Sequence, residues 1–371
     1  MNTNTRMILT ALTARVPLYL EGAPGTGKTE TVKAVARWLN RPLVTIIGAT
    51  RERTDFGGWP RYDDLEGRVK LHPFPWVEEL VQAGEKAILF IDEINSNEEI
   101  FPVLLRVLSE RVIGDIPFEG DVLAAGNPEE LSVSGLVLPP PVANRVVHYA
   151  WQASPREWAR GMLLGWEATL GEPPPPPPPE RLEAEIRLVR GLVASFIERH
   201  PQLLLQPLKG KTHGPWPSPR SWDLLARFVG AARALGMGEE VQALGAQGAV
   251  GPAGYEFFQF LARQDLPHPE ELLKDFRLLP QREDAAFASL MAVVSHVTAD
   301  PTPEAWIRAW ELLIRVREEG RPDLVVPPAR LLTSYYRSLP FGEKRKLPIP
   351  PGAMGFIDLV ERMEAMVRKE E

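Results

Sequence analysis

The chain has 371 residues, of which 44% are hydrophobic and 25% charged, and it contains no cysteine. Its length suggests two or three domains, because single cores stop growing near roughly 250–300 residues. The lack of cysteine excludes disulfides, thiolate zinc sites and cysteine nucleophiles, and the net charge of −7 argues against a protein that coats nucleic acid. No apolar run is as long as a membrane span, so we expect a cytoplasmic protein with no membrane contact.

Strand-like and helix-like segments alternate along the first 150 residues. Short apolar runs typical of buried strands occupy 16–20, 43–47, 87–91 and 122–125. Between them, apolar residues at helical spacing occupy 29–39 and 100–108. Continuous apolar strands separated by helices indicate a parallel sheet covered on both faces. We therefore expect an α/β fold with three layers in this part of the chain.

From Trp151 onward the pattern is helical and interrupted by proline. Helices are expected at 181–199 and 221–235, and the glycine-rich segment 245–254 is expected to form a turn between helices. Seven consecutive prolines at 173–179 predict a stiff polyproline II spacer.

The last third of the chain is expected to contain further helices. The final helix would carry one apolar face, made by Phe356, Ile357, Val360, Met363 and Val367. The expected domains are an α/β core at 1–150, a helical region at 151–265 that contains the proline-rich loop 173–179, and a helical C-terminal region at 266–371 without a recognisable role.

A glycine-rich loop separates the first predicted strand from the first predicted helix. It fits the phosphate-loop pattern at every fixed position, with Gly22, Ala23, Pro24, Gly25, Thr26, Gly27, Lys28 and Thr29. The glycines let backbone N–H groups converge on a phosphate, and the helix adds its positive N-terminal end. Lys28 would contact the β- and γ-phosphates, and the Thr29 hydroxyl would complete the coordination of Mg²⁺.

Polar residues also follow the third and fourth strands of the predicted sheet. Asp92 and Glu93 follow the strand at 87–91, where Asp92 would hold Mg²⁺ through water and Glu93 would accept a proton from the attacking water. Asn127 follows the strand at 122–125 and can orient that water or touch the γ-phosphate, although Asn-Pro is also a plain turn signal. The carboxyl ends of neighbouring parallel strands would bring these residues to the phosphate loop.

These motifs resemble those of AAA+ ATPases. The phosphate loop, Asp92-Glu93-Ile94-Asn95, Gly126-Asn127-Pro128 and Ser218-Pro219-Arg220 stand in the order seen in that superfamily, and the runs around Asp92 and Arg220 resemble its MoxR-type branch. The resemblance covers roughly residues 5–230. It implies a P-loop NTPase core, a helical lid at 151–265, and ATP with Mg²⁺ as the ligands.

The resemblance also implies roles for two arginines. Arg220 would be the sensor-2 arginine, which reaches from the lid onto the γ-phosphate of nucleotide bound in the same subunit. Arg145 occupies the place of the arginine finger, which stabilises transition-state charge on the neighbouring subunit's nucleotide. Arg106 and Arg111 are the alternatives for the trans-acting arginine.

The segment between the second and third predicted strands carries Phe56 and Trp59 on either side of two glycines. In the MoxR-type branch this stretch carries an inserted hairpin, and in AAA+ rings it faces the central channel. The two aromatic rings could therefore grip a polypeptide. Alternatively, they could pack into the subunit's own core.

The function that the resemblance implies is that of an ATPase working as a homo-oligomeric ring, a hexamer. Its chaperone-like task would be to remodel or activate a partner protein, often one with a von Willebrand factor A domain. One alternative is a nucleic-acid-stimulated motor or restriction-type translocase, although Lys344-Arg345-Lys346 is the only tight basic cluster of the C-terminal third. The other is a scaffold that binds nucleotide without hydrolysing it, which the intact Glu93 and Asn127 disfavour.

Overall fold

The computed structural model describes residues 1–63, 67–132, 136–208, 213–262, 266–344 and 346–353. These residues form two compact units. The first unit contains residues 1–178 and 202–258, and the second contains residues 179–201 and those from 259 onward. The chain therefore leaves the first unit at 179, returns to it at 202 and leaves it again at 259.

The N-terminal part of the first unit alternates helices and strands. In chain order these are α1 (Thr3–Ala14), β1 (Leu18–Glu21), α2 (Lys28–Trp38), β2 (Leu43–Ile47), α3 (Arg53–Gly57), β3 (Trp59–Asp63), β4 (Arg68–His72), α4 (Pro75–Ala83), β5 (Ile88–Asp92), α5 (Phe101–Glu110), β6 (Val112–Ile113), β7 (Ile116–Pro117), β8 (Asp121–Gly126), α6 (Pro140–Ala143) and β9 (Val147–Ala150).

The remainder of the described chain is helical. Its helices are α7 (Pro155–Leu164), α8 (Pro179–Arg199), α9 (Pro219–Ala234), α10 (Glu239–Val250), α11 (Pro252–Ala262), α12 (Pro269–Lys274), α13 (Glu283–Ala299), α14 (Pro303–Glu318), α15 (Val326–Ser338) and α16 (Phe341–Lys344). No helix within the described residues is both long and apolar enough to cross a membrane.

A five-stranded parallel sheet forms the centre of the first unit, in the order β2-β5-β8-β1-β9. The expected α/β fold with a parallel sheet and a helical C-terminal region is thereby confirmed. The edge strand β9 was not predicted, because His148 interrupts its short apolar run. Since β5, β8 and β1 are parallel neighbours, their carboxyl ends meet at one edge of the sheet.

Apolar side chains pack the sheet against its helices. Residues of β5 and β8 such as Leu89 and Val122 are fully buried, and they belong to one core cluster with Leu104 and Val107 of α5. Strands buried on both faces read as continuous apolar runs, which is why the sequence pattern located them.

The glycine-rich segment at 245–254 is helix through Val250, so the predicted turn is wrong for most of its length. An added Cβ at Gly245 would overlap the ring of Phe228, and one at Gly248 would overlap the carbonyl oxygen of His148. Glycine is thus used here for close packing of α10 on α9 and β9. The turn itself begins only at Gly251, where φ is 64°.

The second unit is built on the packing of α8 against α13. Gly191 of α8 lies so close to Ala292 of α13 that an added Cβ would be 2.8 Å from its Cα. This unit therefore takes in a helix from the stretch 151–265, which differs from the domain division expected from the sequence, because the apolar face of α8 has its partner in α13. The apolar face expected at Phe356–Val367 lies outside the described residues.

Candidate nucleotide-binding site

The glycine-rich loop follows β1 and leads directly into α2. Gly25 and Gly27 have φ angles of 75° and 88°, a conformation that side chains with a Cβ rarely adopt. Trp151, just after β9, donates from its indole nitrogen to the carbonyl oxygen of Thr26 at 3.2 Å. The loop thus has the conformation that a phosphate cradle needs, and its N–H groups precede the N-terminus of a helix.

Lys28 is the first residue of α2 and is buried. Its ammonium group donates to the carbonyl oxygens of Gly22 at 2.6 Å and Ala23 at 2.9 Å, and it lies 3.4 Å from the side-chain oxygen of Asn127. Burial lowers the pKa of Lys28, while the charges of Asp92 and Glu93 raise it. The cation thus lies between the loop and the ends of β5 and β8.

Thr29 and Asp92 form the oxygen-rich part of the site. The Thr29 hydroxyl donates to a carboxylate oxygen of Asp92 at 2.6 Å. Hydroxyl and carboxylate oxygens are the hard ligands that Mg²⁺ takes in proteins, usually together with water and substrate phosphates. Within the described ranges no group of three or more histidine or acidic side chains could hold a metal ion. The pair therefore suits an ion that nucleotide phosphates complete.

Glu93 stands in a backbone conformation that is rare for residues other than glycine, with φ at 53°. Its N–H donates to the other carboxylate oxygen of Asp92 at 3.0 Å, and the next N–H, of Ile94, donates to the carbonyl oxygen of Ala125 at 2.9 Å. These bonds hold the turn after β5 against β8. Residues in sparsely populated backbone regions are concentrated at functional sites.

No separate role for Asn95 was predicted from the sequence, but the structure places it in the site. It is buried, and its carboxamide bonds the backbone of Asn127, donating to the carbonyl oxygen at 2.8 Å and accepting from the N–H at 3.3 Å. Its neighbours in sequence, Glu93, Ser96 and Asn97, are polar, so no local pattern indicated that Asn95 would be buried. Its partner could not be found without the pairing of β5 with β8.

A cavity of about 320 Å³ adjoins the phosphate loop on the side of α1 and α7. Besides Gly25–Gly27, its lining includes the amide side chains of Asn2 and Asn4 and three indoles, Trp151, Trp158 and Trp166. Planar apolar walls with a few polar groups are the usual surroundings of a bound small molecule. None of these lining side chains was identified from the sequence.

Arg220 and Arg145 lie together, but not at the phosphate loop. Both line a cavity of about 360 Å³ that also touches Pro17, the residue before β1, whereas the loop follows β1. A strand of four residues spans about 13 Å, so the cavity and the loop are at opposite ends of β1. This placement is at odds with the expected contact of Arg220 with nucleotide in the same subunit. We call this cavity the arginine pocket; its cationic lining is Arg15, Arg111, Arg145, Arg220 and Arg227.

The start of α9 explains where Arg220 stands. The Ser218 hydroxyl, which caps this helix, donates to the side-chain oxygen of Asn144 at 2.7 Å. The side-chain amide of Asn144 in turn donates to the carbonyl oxygen of Trp216 at 3.0 Å. Because Arg145 follows Asn144 and Arg220 follows Pro219, these two bonds bring the arginines to one place.

Among the three candidate trans-acting arginines, the local contacts differ. Arg106 forms ion pairs with Glu110 at 3.1 Å and Asp115 at 3.7 Å. Arg111 donates to the carbonyl oxygen of Leu108 at 3.0 Å, and burial lowers its pKa to about 10. Burial and then the charge of Arg220 lower the pKa of Arg145. The assignment of the trans-acting arginine stays a prediction: Arg111 and Arg145 both line the arginine pocket, and Arg145 is the one whose pKa the charge of Arg220 lowers.

Phe56 and Trp59 have different environments. Phe56 is buried and packs edge-to-face on Trp76, as expected of a core residue. Trp59 begins the antiparallel hairpin β3–β4 and is 66% exposed. The strand register places Tyr62, Val69 and Leu71, which are also exposed, on the opposite face of the hairpin.

Comparison with known proteins gives the same assignment for this part of the chain. Residues 17–141 match the AAA domain of the dynein-related subfamily. The MoxR protein of Methylorubrum extorquens is 30% identical over 109 residues, and that of Paracoccus denitrificans is 30% identical over 107 residues. Each match covers 29% of this chain and 31% of the relative's length.

A crystal structure of a candidate ATPase from Cytophaga hutchinsonii aligns with a TM-score of 0.37 and 18% identity, over 65% of this chain and 78% of that one. This likeness is too weak to bear on the fold. The family match covers the phosphate loop, Asp92 and Asn127 together. Residues 17–141 therefore match an AAA domain, and part of the chain is similar in sequence to MoxR proteins.

Proposed function

We propose that the chain binds ATP with Mg²⁺ at the phosphate loop and hydrolyses it to ADP and phosphate. One observation carries this proposal: Lys28 lies beside Asn127, and Thr29 beside Asp92, at the edge where three parallel strands end. This places an ammonium group, a metal-ligand pair and a polar amide around one loop of glycines.

The division of labour follows from the chemistry of each group. The loop N–H groups and Lys28 bind the phosphates, for which Lys28 gives up its bonds to the carbonyl oxygens of the loop. Thr29 and Asp92 would hold Mg²⁺, which, when bound, neutralises charge on the phosphate oxygens. Glu93 takes the proton from the attacking water, and Asn127 orients that water toward the γ-phosphate.

The cavity beside the loop accounts for the rest of the nucleotide. Base and ribose would lie between the N-terminus of α1 and the indoles of Trp151, Trp158 and Trp166. Aromatic faces stack on purines, and the side-chain amides of Asn2 and Asn4 can donate hydrogen bonds to a base edge.

We assign Arg145 and Arg220 to the nucleotide of a neighbouring copy. They share the arginine pocket, which lies at the end of β1 away from the loop, so neither is placed to serve its own subunit's nucleotide. Arginines supplied in trans stabilise transition-state charge and make hydrolysis depend on assembly. A homo-oligomeric ring, with six copies as the resemblance implies, would satisfy this geometry.

The work done by this ring would be the remodelling or activation of a partner protein. The hairpin β3–β4 exposes Trp59 on one face and Tyr62 and Leu71 on the other, a surface suited to a polypeptide. A von Willebrand factor A domain is the partner class that the resemblance implies, and stimulation of the ATPase by such a domain would support it. We retain the division into a core at 1–150 and a lid at 151–265 as part of this proposal.

The test of hydrolysis is the variant Glu93→Gln, which removes the base and keeps the shape of the side chain. Binding of ATP with Mg²⁺ should persist, and turnover should fall by about 10²–10⁴-fold, the usual contribution of a positioned base. Glu98→Gln, an exposed glutamate in the next turn, is the matched control and should retain full turnover. Unchanged turnover in Glu93→Gln would refute the assignment of the base, and a wild-type protein that binds but never hydrolyses ATP would favour the scaffold.

A further inference from the structure

Asn95 is more deeply buried than any other polar residue of the turn after β5, with a side chain 1% exposed. A carboxamide removed from water must find hydrogen-bond partners within the protein, because unpaired buried polar groups are destabilising. The hydrogen-bond partners of Asn95 therefore indicate its role.

Those partners are the two backbone polar groups of Asn127. The amide nitrogen of Asn95 donates to the carbonyl oxygen of Asn127 at 2.8 Å, and the amide oxygen accepts from the N–H of Asn127 at 3.3 Å. The second amide hydrogen goes to the carbonyl oxygen of Leu136 at 2.8 Å. One side chain thus fixes the backbone of Asn127 and leaves the Asn127 side chain available to Lys28.

The backbone around this contact is shaped to admit it. A Cβ on Gly126 would overlap the amide oxygen of Asn95 and would lie 2.6 Å from the hydroxyl oxygen of Tyr19. Only glycine lets the end of β8 approach Asn95 this closely. On the other side, Ile94 donates its N–H to the carbonyl oxygen of Ala125 at 2.9 Å, so that the turn carrying Glu93 is held against the same strand.

We propose that Asn95 is a positioning residue that sets Asn127 against the turn carrying Glu93, so that the γ-phosphate contact and the base stand in one fixed geometry. The proposal rests on the proposed hydrolysis of ATP at this site. It predicts that a change at Asn95 affects the binding of ADP and the hydrolysis of ATP differently. The bonds of Asn95 described above go to the backbone of Asn127 and to Leu136, so we expect ADP binding at the phosphate loop not to depend on it, whereas the steps that use Asn127 should.

The experiment uses Asn95→Asp in the full chain. The new carboxylate has the same shape but offers oxygens to the carbonyls of Asn127 and Leu136, so both bonds are lost. We expect unchanged affinity for ADP and a fall in kcat of about 10²-fold, the loss that a misplacement of roughly 1 Å produces. Asn97→Asp is the matched control: its amide bonds the carbonyl oxygen of Arg51 at 2.8 Å, away from Asn127, and its kcat should match the wild type.

A second readout separates positioning from mere support of the fold. If Asn95 acts through Asn127, the preference for a non-hydrolysable ATP analogue over ADP should fall equally in Asn95→Asp and Asn127→Ala. The double variant should then be no worse than Asn127→Ala alone, since interacting residues are not additive. Additive losses in the double variant would overturn the proposal.

Two further outcomes are decisive. If Asn95→Asp hydrolyses ATP like the wild type, the inference is wrong while the proposed function stands. If Asn95→Asp does not bind ADP, Asn95→Ala is measured in its place, and loss of ADP binding there as well would show a structural role and overturn the inference. A wild-type protein without ATPase activity would instead contradict the proposed function itself.

Discussion

At the scale of single residues, the site depends on backbone conformations as much as on functional groups. Gly25, Gly27 and Glu93 all have positive φ angles, and they flank the place where we expect the phosphates and the attacking water. For glycine this conformation is ordinary, but for Glu93 it is not. The structure supports it through two hydrogen bonds, from the N–H of Glu93 to Asp92 and from the N–H of Ile94 to the carbonyl oxygen of Ala125, which hold the proposed catalytic base in one orientation.

His148 allows a residue-scale prediction about pH. His148 is a buried residue of β9, and its Nε2 is 3.0 Å from the carbonyl oxygen of Ala143. Burial lowers the pKa of His148 from 6.5 to about 4. Below pH 6.5 the unfolded chain therefore binds a proton that the folded protein excludes, so acid destabilises the fold. The loss should approach about 1.4 kcal/mol for each pH unit between those two values.

The measurement is urea unfolding of the wild type and of His148→Gln at several pH values between about 7 and about 5. Other acidic groups titrate in both proteins, so the difference between the two pH dependences isolates His148. The wild type should lose stability more steeply on acidification than His148→Gln. Parallel pH dependences would contradict the exclusion of the proton.

At the scale of elements, the sequence predicted the strands whose position depends on a local pattern of apolar residues. The strands around 43–47, 87–91 and 122–125 are apolar throughout, and the structure has β2, β5 and β8 there within one residue. Parallel pairing of those strands then brings Asp92 and Asn127 to the phosphate loop, which a sequence pattern can indicate because the carboxyl ends of such strands share an edge.

Other elements could not be read locally, because their conformation is decided by partners distant in sequence. Gly245 and Gly248 resemble turn residues until Phe228 and His148 are known to lie against them. Arg220 was expected near the γ-phosphate of its own subunit, but the Ser218–Asn144 bond holds the start of α9 beside Arg145. Asn95 has no signature of its own, since its proposed role depends on bonds to Asn127, 32 residues away in the sequence.

The hairpin β3–β4 gives a prediction at this scale. Trp59→Ala should leave the basal ATPase rate unchanged, because the indole has no contact with the phosphate loop among the described residues. It should weaken the stimulation of the ATPase by a permanently unfolded protein by about threefold or more, as the loss of an aromatic anchor does. Tyr255→Ala, an exposed aromatic on α11, is the control. Equal stimulation of Trp59→Ala and the wild type would contradict a role in polypeptide contact, and stimulation by DNA instead would favour the nucleic-acid motor.

At the scale of the whole molecule, the arrangement of charged groups points to assembly. The first unit carries its nucleotide loop at one end of β1 and the arginine pocket at the other. Under the proposed function, a single subunit would have an incomplete site, which a second copy in contact with it would complete. The second unit, with α8 packed on α13, adds a helical body whose role the site does not define.

This incompleteness can be tested by mixing two inactive proteins. Lys28→Ala lacks a working loop but keeps its arginines, whereas Arg145→Ala and Arg220→Ala keep the loop. If both arginines act in trans, each arginine variant mixed with Lys28→Ala should regain activity, up to about a quarter of the wild-type rate. In a closed ring that assembles at random from equal amounts, about one interface in four pairs an intact loop with an intact arginine. An Arg220 that acted within its own subunit would regain nothing.

The most direct measurement is therefore the ATPase rate of Lys28→Ala mixed in equal amounts with Arg145→Ala, after exchange of labelled subunits has shown that mixed assemblies form. We predict no turnover from either variant alone and clear turnover from the mixture, since the loop of one copy then meets the arginine of the next. A mixture that assembles and stays inactive would contradict hydrolysis of ATP between copies of this chain.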